Sequence, residues 1–238
     1  MCEHYVARAA EPFRIDELWP FTERLERFGI AGFGWGAAWL GGDGRLHSHR
    51  DVRAFRDDPD GQGRVGAAET TAALVHLRRP SKLSTLDLPD TQPFDDPAGR
   101  YSFSHNGDLK DTRALRSTYR QAGRIQGRAD TEVGARWLED AWHEHEHEPV
   151  GDLLAALHDR FGGQANLAVL AADGTPHHYA GNGENPVFTF RLGRIGVAST
   201  GIYSLDRSLF RFVAPRATER RLVRQRTTVA LDRNGSPA

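Results

Sequence analysis

Cysteine and lysine are scarce in this chain. Cys2 is the only cysteine among 238 residues, and lysine occurs only at Lys82 and Lys110. A single cysteine excludes a disulfide within the chain and any zinc site built on several thiolates. Arginine takes the place of lysine as the main cation, which we interpret as a coding bias, although its planar guanidinium is also the better bidentate ligand for a carboxylate.

Long apolar segments and net charge are lacking as well. No run approaches the roughly 20 apolar residues needed to cross a bilayer, and the N-terminus lacks the basic stretch and apolar core of a secretion signal. We therefore expect a cytoplasmic protein. The formal net charge is −1, so the charge balance does not favour nucleic acid or an anionic membrane as a partner.

The overall composition is that of a globular protein. Hydrophobic residues make up 39% of the chain and charged residues 26%. Sheet-rich domains commonly reach this length as one folded unit. We predict one domain over residues 1–232, followed by a flexible tail at 233–238.

Two groups of strands flank a pair of helices in the predicted secondary structure. Apolar runs and alternation predict a hairpin at 34–49 and strands at 2–8, 70–78, 101–105, 166–172, 186–191, 194–199 and 221–231. Helical spacing predicts a helix at 15–28 and two consecutive helices between 130 and 161. Residues 50–66 and 81–99 are predicted loops, and Asn106-Gly107 is predicted to stop the strand before it. This order indicates layers of sheets and helices.

Cys2 becomes chemically distinctive if Met1 is removed, because it then carries a free α-amine. An N-terminal cysteine supplies both halves of a nucleophilic pair: the thiol attacks, and the amine, with a pKa of about 8, accepts the thiol proton. No histidine partner is then required. Taken alone, however, a cysteine at position 2 is readily explained as incidental.

Three further segments accompany Cys2: His76-Leu77-Arg78-Arg79-Pro80-Ser81, Phe103-Ser104-His105-Asn106-Gly107-Asp108-Leu109 and Ala129-Asp130-Thr131-Glu132. With Met1-Cys2-Glu3-His4 and the Gly34-Trp35-Gly36 turn, their order and spacing resemble the glutaminase domain of class II glutamine amidotransferases, which are N-terminal nucleophile hydrolases. The resemblance covers roughly the first 135 residues. It implies an α+β fold, a four-layer αββα sandwich with two antiparallel sheets between helical layers.

The resemblance implies catalytic roles for Cys2, Asn106 and Gly107. In the family, the cysteine attacks the side-chain amide of glutamine to give a γ-glutamyl thioester and ammonia, and water then releases glutamate. Cys2 matches that nucleophile. Asn106 and Gly107 match the pair that stabilises the oxyanion, through an amide side chain and a backbone N–H.

Three other residues match substrate-binding positions of the family. Arg78 matches the arginine that holds the α-carboxylate of glutamine, and its guanidinium suits a bidentate pair. Ser81 is a second candidate donor to the same carboxylate. Asp130 matches the aspartate that binds the α-ammonium group.

Each of these residues also has an ordinary structural explanation. Arg78 could be a surface arginine, Asn106-Gly107 is the commonest signal of a hairpin turn, and Asp130 could be the N-cap of a helix. Their joint occurrence in the order of the family, together with a cysteine at position 2, favours the family site.

No metal or cofactor is expected. His143 and His147 stand four residues apart and could share one helix face, as metal-binding pairs do. An obvious third ligand is lacking. We interpret the alternating histidines and glutamates of this segment as a solvated helix end.

The predicted function is cysteine-dependent hydrolysis of the γ-glutamyl amide of glutamine or of a γ-glutamyl compound, as in the stand-alone members of the ergothioneine pathway. Two alternatives stay open: a glutaminase subunit that delivers ammonia to a separate synthase, and a non-catalytic γ-glutamyl-ligand sensor or scaffold that retains the pocket. A small molecule is the expected ligand in each case. The leaving amine is not specified, because it would contact loops such as 81–99 and 182–185.

Overall fold

The computed structural model describes residues 2–29, 31–80, 83–145, 147–202 and 207–238. Within these ranges the chain combines two antiparallel sheets with helices on their outer faces. The helices are α1 (Trp19–Gly29), α2 (Pro59–Gly66), α3 (Arg113–Gln121), α4 (Asp130–Glu144), α5 (Val150–Phe161) and α6 (Phe210–Val213). No helix in the described ranges is long and apolar enough to span a membrane.

In the part of the chain that the structure describes, sheet A contains seven strands: β1 (Glu3–Arg14), β2 (Trp35–Leu40), β3 (Leu46–Asp51), β4 (Glu69–Leu77), β9 (Val187–Leu192), β10 (Ile195–Thr200) and β11 (Thr218–Leu222). Their order across the sheet is β11-β9-β10-β1-β4-β2-β3. Sheet B contains β5 (Phe94–Asp95), β6 (Tyr101–Leu109), β7 (Gly163–Ala171), β8 (Pro176–Tyr179) and β12 (Thr228–Ala230), in the order β12-β8-β7-β6-β5.

Three apolar clusters of described residues hold the layers together. One lies between sheet A and α1 and α6, where Leu25 and Val213 pack with Tyr5. A second lies between sheet B and the helices α4 and α5. The third lies between the two sheets and includes Val6 and Ala168. The layers therefore run helix, sheet, sheet, helix, which confirms the predicted α+β fold and its four-layer αββα sandwich.

Most predicted elements are present, but residues 50–66 are not simply a loop. They contain α2, whose N-terminus is capped by Asp58: the Asp58 side chain accepts a hydrogen bond from the Gly61 N–H at 3.0 Å. Pro59 follows as the first helical residue, where its missing N–H costs nothing. The glycines of this segment interrupt the spacing of its apolar residues, so periodicity did not predict a helix. The Asp58-Pro59 pair is nevertheless a typical signal for the start of a helix.

The strand β6 does not stop at Asn106-Gly107. It continues to Leu109, and Asn106 and Gly107 pair with Asn166 and Ala165 of β7. Gly107 has φ +148, and a Cβ at this position would lie 1.7 Å from the Gln164 carbonyl oxygen. The prediction of a turn was wrong because the chain remains paired with β7 beyond Asn106-Gly107, and the local sequence does not report the position of that partner strand.

Other differences concern short elements. The prediction did not include α3 or β8, and the strand predicted at 221–231 is divided between β11 in sheet A and β12 in sheet B. Residues 233–238 fold back onto the sandwich: Leu231 and Pro237 form an antiparallel bridge, and a Cβ on Gly196 would meet the Gly235 carbonyl oxygen at 1.7 Å. The domain boundary at residue 232 stays a prediction.

Candidate active site

A cavity of about 870 Å³ opens where the ends of the two sheets meet. Its lining includes Cys2, Arg78, Gly107 and Asp130. These four residues come from separate parts of the chain: Cys2 precedes β1, Arg78 follows β4, Gly107 lies in β6 and Asp130 begins α4. Ser81, the remaining candidate for carboxylate binding, lies outside the described residues.

Cys2 is positioned by the pairing of β1 with β4. Glu3 stands opposite Leu77 in that ladder, so Cys2 lies beside the residues that follow β4. The backbone N–H of Arg79 donates to Cys2 Sγ at 3.4 Å. Burial raises the pKa of the Cys2 thiol, partly opposed by this hydrogen bond. The thiol therefore keeps its proton at neutral pH and needs a base before it can attack.

Arg78 is almost completely buried, with 3% of its surface exposed. Its guanidinium donates to the backbone carbonyls of Thr85 and Asp87 and lies 3.4 Å from the hydroxyl of Thr91. Burial lowers the pKa of Arg78, although a guanidinium remains charged in proteins. The interpretation of Arg78 as a surface arginine is therefore wrong, because its charge is held in a fixed orientation at the cavity wall.

Asp130 is the first residue of α4, and Ala129 occupies the N-cap position, so the N-cap interpretation is wrong. Its carboxylate accepts hydrogen bonds from the Leu109 N–H at 2.6 Å and from the Thr131 N–H at 3.0 Å. A carboxylate at a helix N-terminus is favoured by the helix dipole. The contact with Leu109 fixes Asp130 next to the end of β6.

Two buried acids that the sequence analysis did not single out hold the segment before Asp130. Asp90 accepts from the N–H groups of Arg128 and Ala129 at 2.5 and 2.7 Å. Glu132 accepts from the N–H groups of Gln126 and Gly127, both at 2.8 Å. Because four backbone donors of this turn are satisfied by carboxylates, the start of α4 is held firmly at the cavity.

Asn106 lies directly behind the cavity wall and is fully buried. Its Oδ1 accepts hydrogen bonds from Asn166 Nδ2 at 3.4 Å and from Asn182 Nδ2 at 3.5 Å. Among the described residues, Asn106 Nδ2 has no hydrogen-bond partner. A buried and unpaired amide donor is rare in folded proteins and calls for an explanation.

A cluster of buried histidines lies between the sheets, close to Cys2 in the fold. Ser104 Oγ is 2.9 Å from His4 Nδ1 and 2.8 Å from His76 Nδ1. The His178 ring packs edge-to-face on His4 with centroids 4.7 Å apart. Burial lowers the pKa of all three imidazoles, to about 3 for His178. These side chains are therefore neutral, and they make the layer between the sheets polar at its cavity end.

His49, Asp51 and Asp58 are close enough to share a cation. Asp58 already accepts hydrogen bonds from Trp35 Nε1 at 3.0 Å and from Arg53 at 2.6 Å, and Arg53 also pairs with Asp51 at 2.9 Å. The carboxylates are thus engaged by protein donors, and we interpret the group as structural.

The segment containing His143 and His147 does not form a shared helix face. The helix α4 ends at Glu144, so His147 lies beyond it. His145 forms an ion pair of 3.1 Å with Glu148. The four-residue spacing therefore does not bring His143 and His147 together on a helix as metal-binding pairs are.

No protein-family model and no curated protein matches the chain. Solved structures do resemble it. A glutamine phosphoribosylpyrophosphate amidotransferase from B. subtilis, complexed with ADP and GMP, superposes over 97% of this chain with a TM-score of 0.72 and 18% identity. The match covers 47% of that enzyme, so this chain spans about half its length.

Two similar structures are close to this chain in length. A glutamine aminotransferase class-II domain protein from Silicibacter pomeroyi matches over 96% of this chain and 94% of its own, with a TM-score of 0.59 and 16% identity. A predicted glutamine amidotransferase from Pseudomonas aeruginosa matches over 99% of both chains, with a TM-score of 0.55 and 14% identity. The chain has the fold of these amidotransferase structures.

Proposed function

We propose that this protein is a class II glutamine amidotransferase-type amidohydrolase that uses Cys2 to break the γ-glutamyl amide bond of glutamine or of a related γ-glutamyl compound. The observation that carries the proposal is the convergence of Cys2, Arg78, Gly107 and Asp130 on one cavity. The fold shared with glutamine amidotransferase structures supports it.

The charges of the cavity complement the two ends of an α-amino acid. The Arg78 guanidinium would pair with the α-carboxylate, and the Asp130 carboxylate with the α-ammonium group. Both protein groups are held in place by backbone contacts, so little side-chain entropy is lost when the substrate binds. The γ-amide of the substrate would then extend toward Cys2 and Gly107.

The reaction begins once Met1 has been removed. The α-amine of Cys2, with a pKa of about 8, takes the thiol proton as the sulfur attacks, so the buried thiol, whose pKa is raised, need not ionise beforehand. The sulfur attacks the amide carbon as it loses this proton, and the carbonyl oxygen becomes an oxyanion that accepts hydrogen bonds from Gly107 N–H and Asn106 Nδ2.

The intermediate then collapses in two stages. The C–N bond breaks, the leaving nitrogen takes the proton held by the α-amine, and ammonia or an amine departs from a γ-glutamyl thioester. Water, deprotonated by the same amine, attacks the thioester carbon and releases glutamate and the free thiol. Delivery of the ammonia to a separate synthase would use the same first stage and stays a prediction.

Intact-protein mass spectrometry tests this proposal. The protein is weighed before and after incubation with an electrophilic diazo-ketone analogue of glutamine, with Cys2→Ala as the matched control. We expect the loss of Met1 and one adduct per chain, absent from the variant. Retention of Met1 with no adduct, or an equal adduct on Cys2→Ala, would overturn the proposed mechanism.

A further inference from the structure

Four asparagines form a buried network behind the cavity. Asn106 lies in β6, Asn166 stands opposite it in β7, and Asn182 and Asn185 belong to the loop between β8 and β9. All four side chains are fully buried. A buried amide must have its donors and acceptors matched, so each contact in the network constrains the orientation of the next amide.

The orientation of Asn166 is fixed by backbone groups. Its Oδ1 accepts from the N–H groups of Gly181 and Asn182, both at 3.1 Å, and its Nδ2 donates to the Asn185 carbonyl oxygen at 2.7 Å. Rotating the amide by half a turn would set oxygen against oxygen and nitrogen against nitrogen. The side chain therefore presents a donor to Asn106 Oδ1.

Asn182 is oriented in the same way. Its Oδ1 accepts from the N–H groups of Glu184 at 3.0 Å and Asn185 at 3.3 Å. Its Nδ2 is thereby directed at Asn106 Oδ1, 3.5 Å away. Two amide donors of independently fixed polarity thus converge on one oxygen of Asn106.

The amide of Asn106 has only one orientation that fits these neighbours. Its Oδ1 must face the two donors, and its Nδ2 must point away from them, where it has no partner among the described residues. Burial of an unpaired N–H group is costly. The cost is offset when a substrate oxygen arrives to accept the hydrogen bond, and most of all when that oxygen carries charge.

We propose that Asn182 and Asn166 are positioning residues that hold the Asn106 amide with Nδ2 available to the oxyanion. This inference rests on the proposed function, since it assigns what aims the oxyanion donor of that reaction. The loop that carries Asn182 thereby supports the site from behind, and it is not among the residues that line the cavity, in contrast to the expectation that loop 182–185 contacts the leaving amine.

Asn182→Asp is the decisive variant because it keeps the shape of the side chain. One carboxylate oxygen still accepts from Glu184 and Asn185, but the other now faces Asn106 Oδ1 and forces that amide to turn over. We expect kcat for glutamine to fall about 100-fold, as for the loss of one oxyanion donor, with KM nearly unchanged. Asn234→Asp, the same change at an exposed residue, should leave kcat unaltered.

The pH dependence of the rate tests whether Asn182→Asp acts by turning over the Asn106 amide. In the Asn182→Asp variant, the protonated carboxyl group can donate to Asn106 as the asparagine does, whereas the ionised carboxylate cannot. The ratio of the wild-type rate to the Asn182→Asp rate should therefore rise with pH. Glu3, whose carboxylate accepts a hydrogen bond from Asn185 Nδ2, is present in both proteins. Its ionisation therefore affects both rates, and the ratio of the rates reports the carboxyl group introduced at position 182. Because ionisation of the introduced buried carboxyl group would also destabilise the fold, circular dichroism at each pH must show that the variant stays folded.

A double-mutant cycle provides the second measurement. In an Asn106→Ala background there is no amide left to orient, so Asn182→Asp should lower kcat no further. If Asn182→Asp folds poorly, Asn182→Ala replaces it in the same cycle, with a smaller loss expected because Asn166 still orients the amide.

The outcomes distinguish this inference from the proposed function. If wild-type protein hydrolyses glutamine and is labelled at Cys2, but Asn182→Asp retains full kcat at every pH or its effect adds fully to that of Asn106→Ala, the positioning role is wrong and the proposed function stands. If the wild type is neither active nor labelled, the proposed function fails and this inference fails with it.

Discussion

Glu3 is a buried acid beside the candidate active site. It follows Cys2 directly, is buried, and its carboxylate accepts hydrogen bonds from Asn185 Nδ2 at 3.0 and 3.2 Å and from Thr200 Oγ1. Burial raises the pKa of Glu3 from 4.5 to about 7. These contacts join the start of β1 to the loop that carries Asn182 and to the end of β10.

The raised pKa makes Glu3 a source of pH-dependent stability. Between pH 4.5 and 7 the folded protein holds a proton on Glu3 that the unfolded chain has released, so the contribution of Glu3 to the free energy of unfolding falls as pH rises. Glu3→Gln removes this contribution, which is on the order of 3 kcal/mol across the window.

Urea unfolding of wild type and Glu3→Gln between pH 4.5 and 7.5 measures the effect. We expect the wild type to lose stability relative to the variant as pH rises. Parallel pH profiles for the two proteins would mean that Glu3 ionises normally in the fold.

The strand β6 requires a glycine at position 107. The residue has φ +148 and would place a Cβ 1.7 Å from the Gln164 carbonyl oxygen of β7. Gly107→Ala therefore strains the backbone and also pushes the two strands apart. Backbone strain alone costs about 1–3 kcal/mol, and the clash with β7 adds to it.

Gly99 provides a matched control for Gly107. It also has positive φ, +72, but a Cβ there would meet nothing within 4 Å. We expect Gly107→Ala to lower the free energy of unfolding, measured in urea, by more than about 3 kcal/mol, and Gly99→Ala by about 1 kcal/mol. Equal losses would show that the close approach of β7 is relieved at little cost.

Sequence patterns predicted some helices and strands correctly and misassigned others. The strand β4 and the helices α4 and α5 follow their predicted ranges closely because apolar spacing reports burial directly. Asn106-Gly107 was misassigned because the same dipeptide serves in a tight turn or, when a partner strand supplies hydrogen bonds, within a strand. Local sequence does not contain the position of β7.

At the scale of the whole molecule, the two sheets bury several histidines in a neutral state. Burial lowers the pKa of each of them: His4, His76, His105, His177 and His178. Below pH 6.5 the unfolded chain takes up protons that these side chains refuse in the folded state. Stability is therefore lost as pH falls, by up to about 1.4 kcal/mol per histidine per pH unit.

The Glu3→Gln variant isolates this effect, because the opposing contribution of Glu3 is removed. Its free energy of unfolding in urea should fall steeply between pH 6.5 and 5. A stability that stays constant across that range would show that these histidines ionise in the folded protein.

The candidate site itself was only partly predictable. Cys2, Arg78 and Asp130 carry chemistry that is visible in their residue types and order, and they line one cavity. Asn166 was not singled out, and Asn182 was named only as part of the loop 182–185 expected to contact the leaving amine. An asparagine far from the recognised segments has no distinguishing signal in one sequence. Their proposed role depends on which backbone groups surround them.

The sequence by itself determined the alternation of apolar and polar residues that produces two sheets and two outer helical layers, and the order of the segments that resemble a glutaminase. The tertiary structure decided the rest. Only the packing of β1 and β4 against β6 brings Cys2, Arg78 and Gly107 to one cavity, because contact across the two sheets depends on register and layer spacing rather than on local propensity.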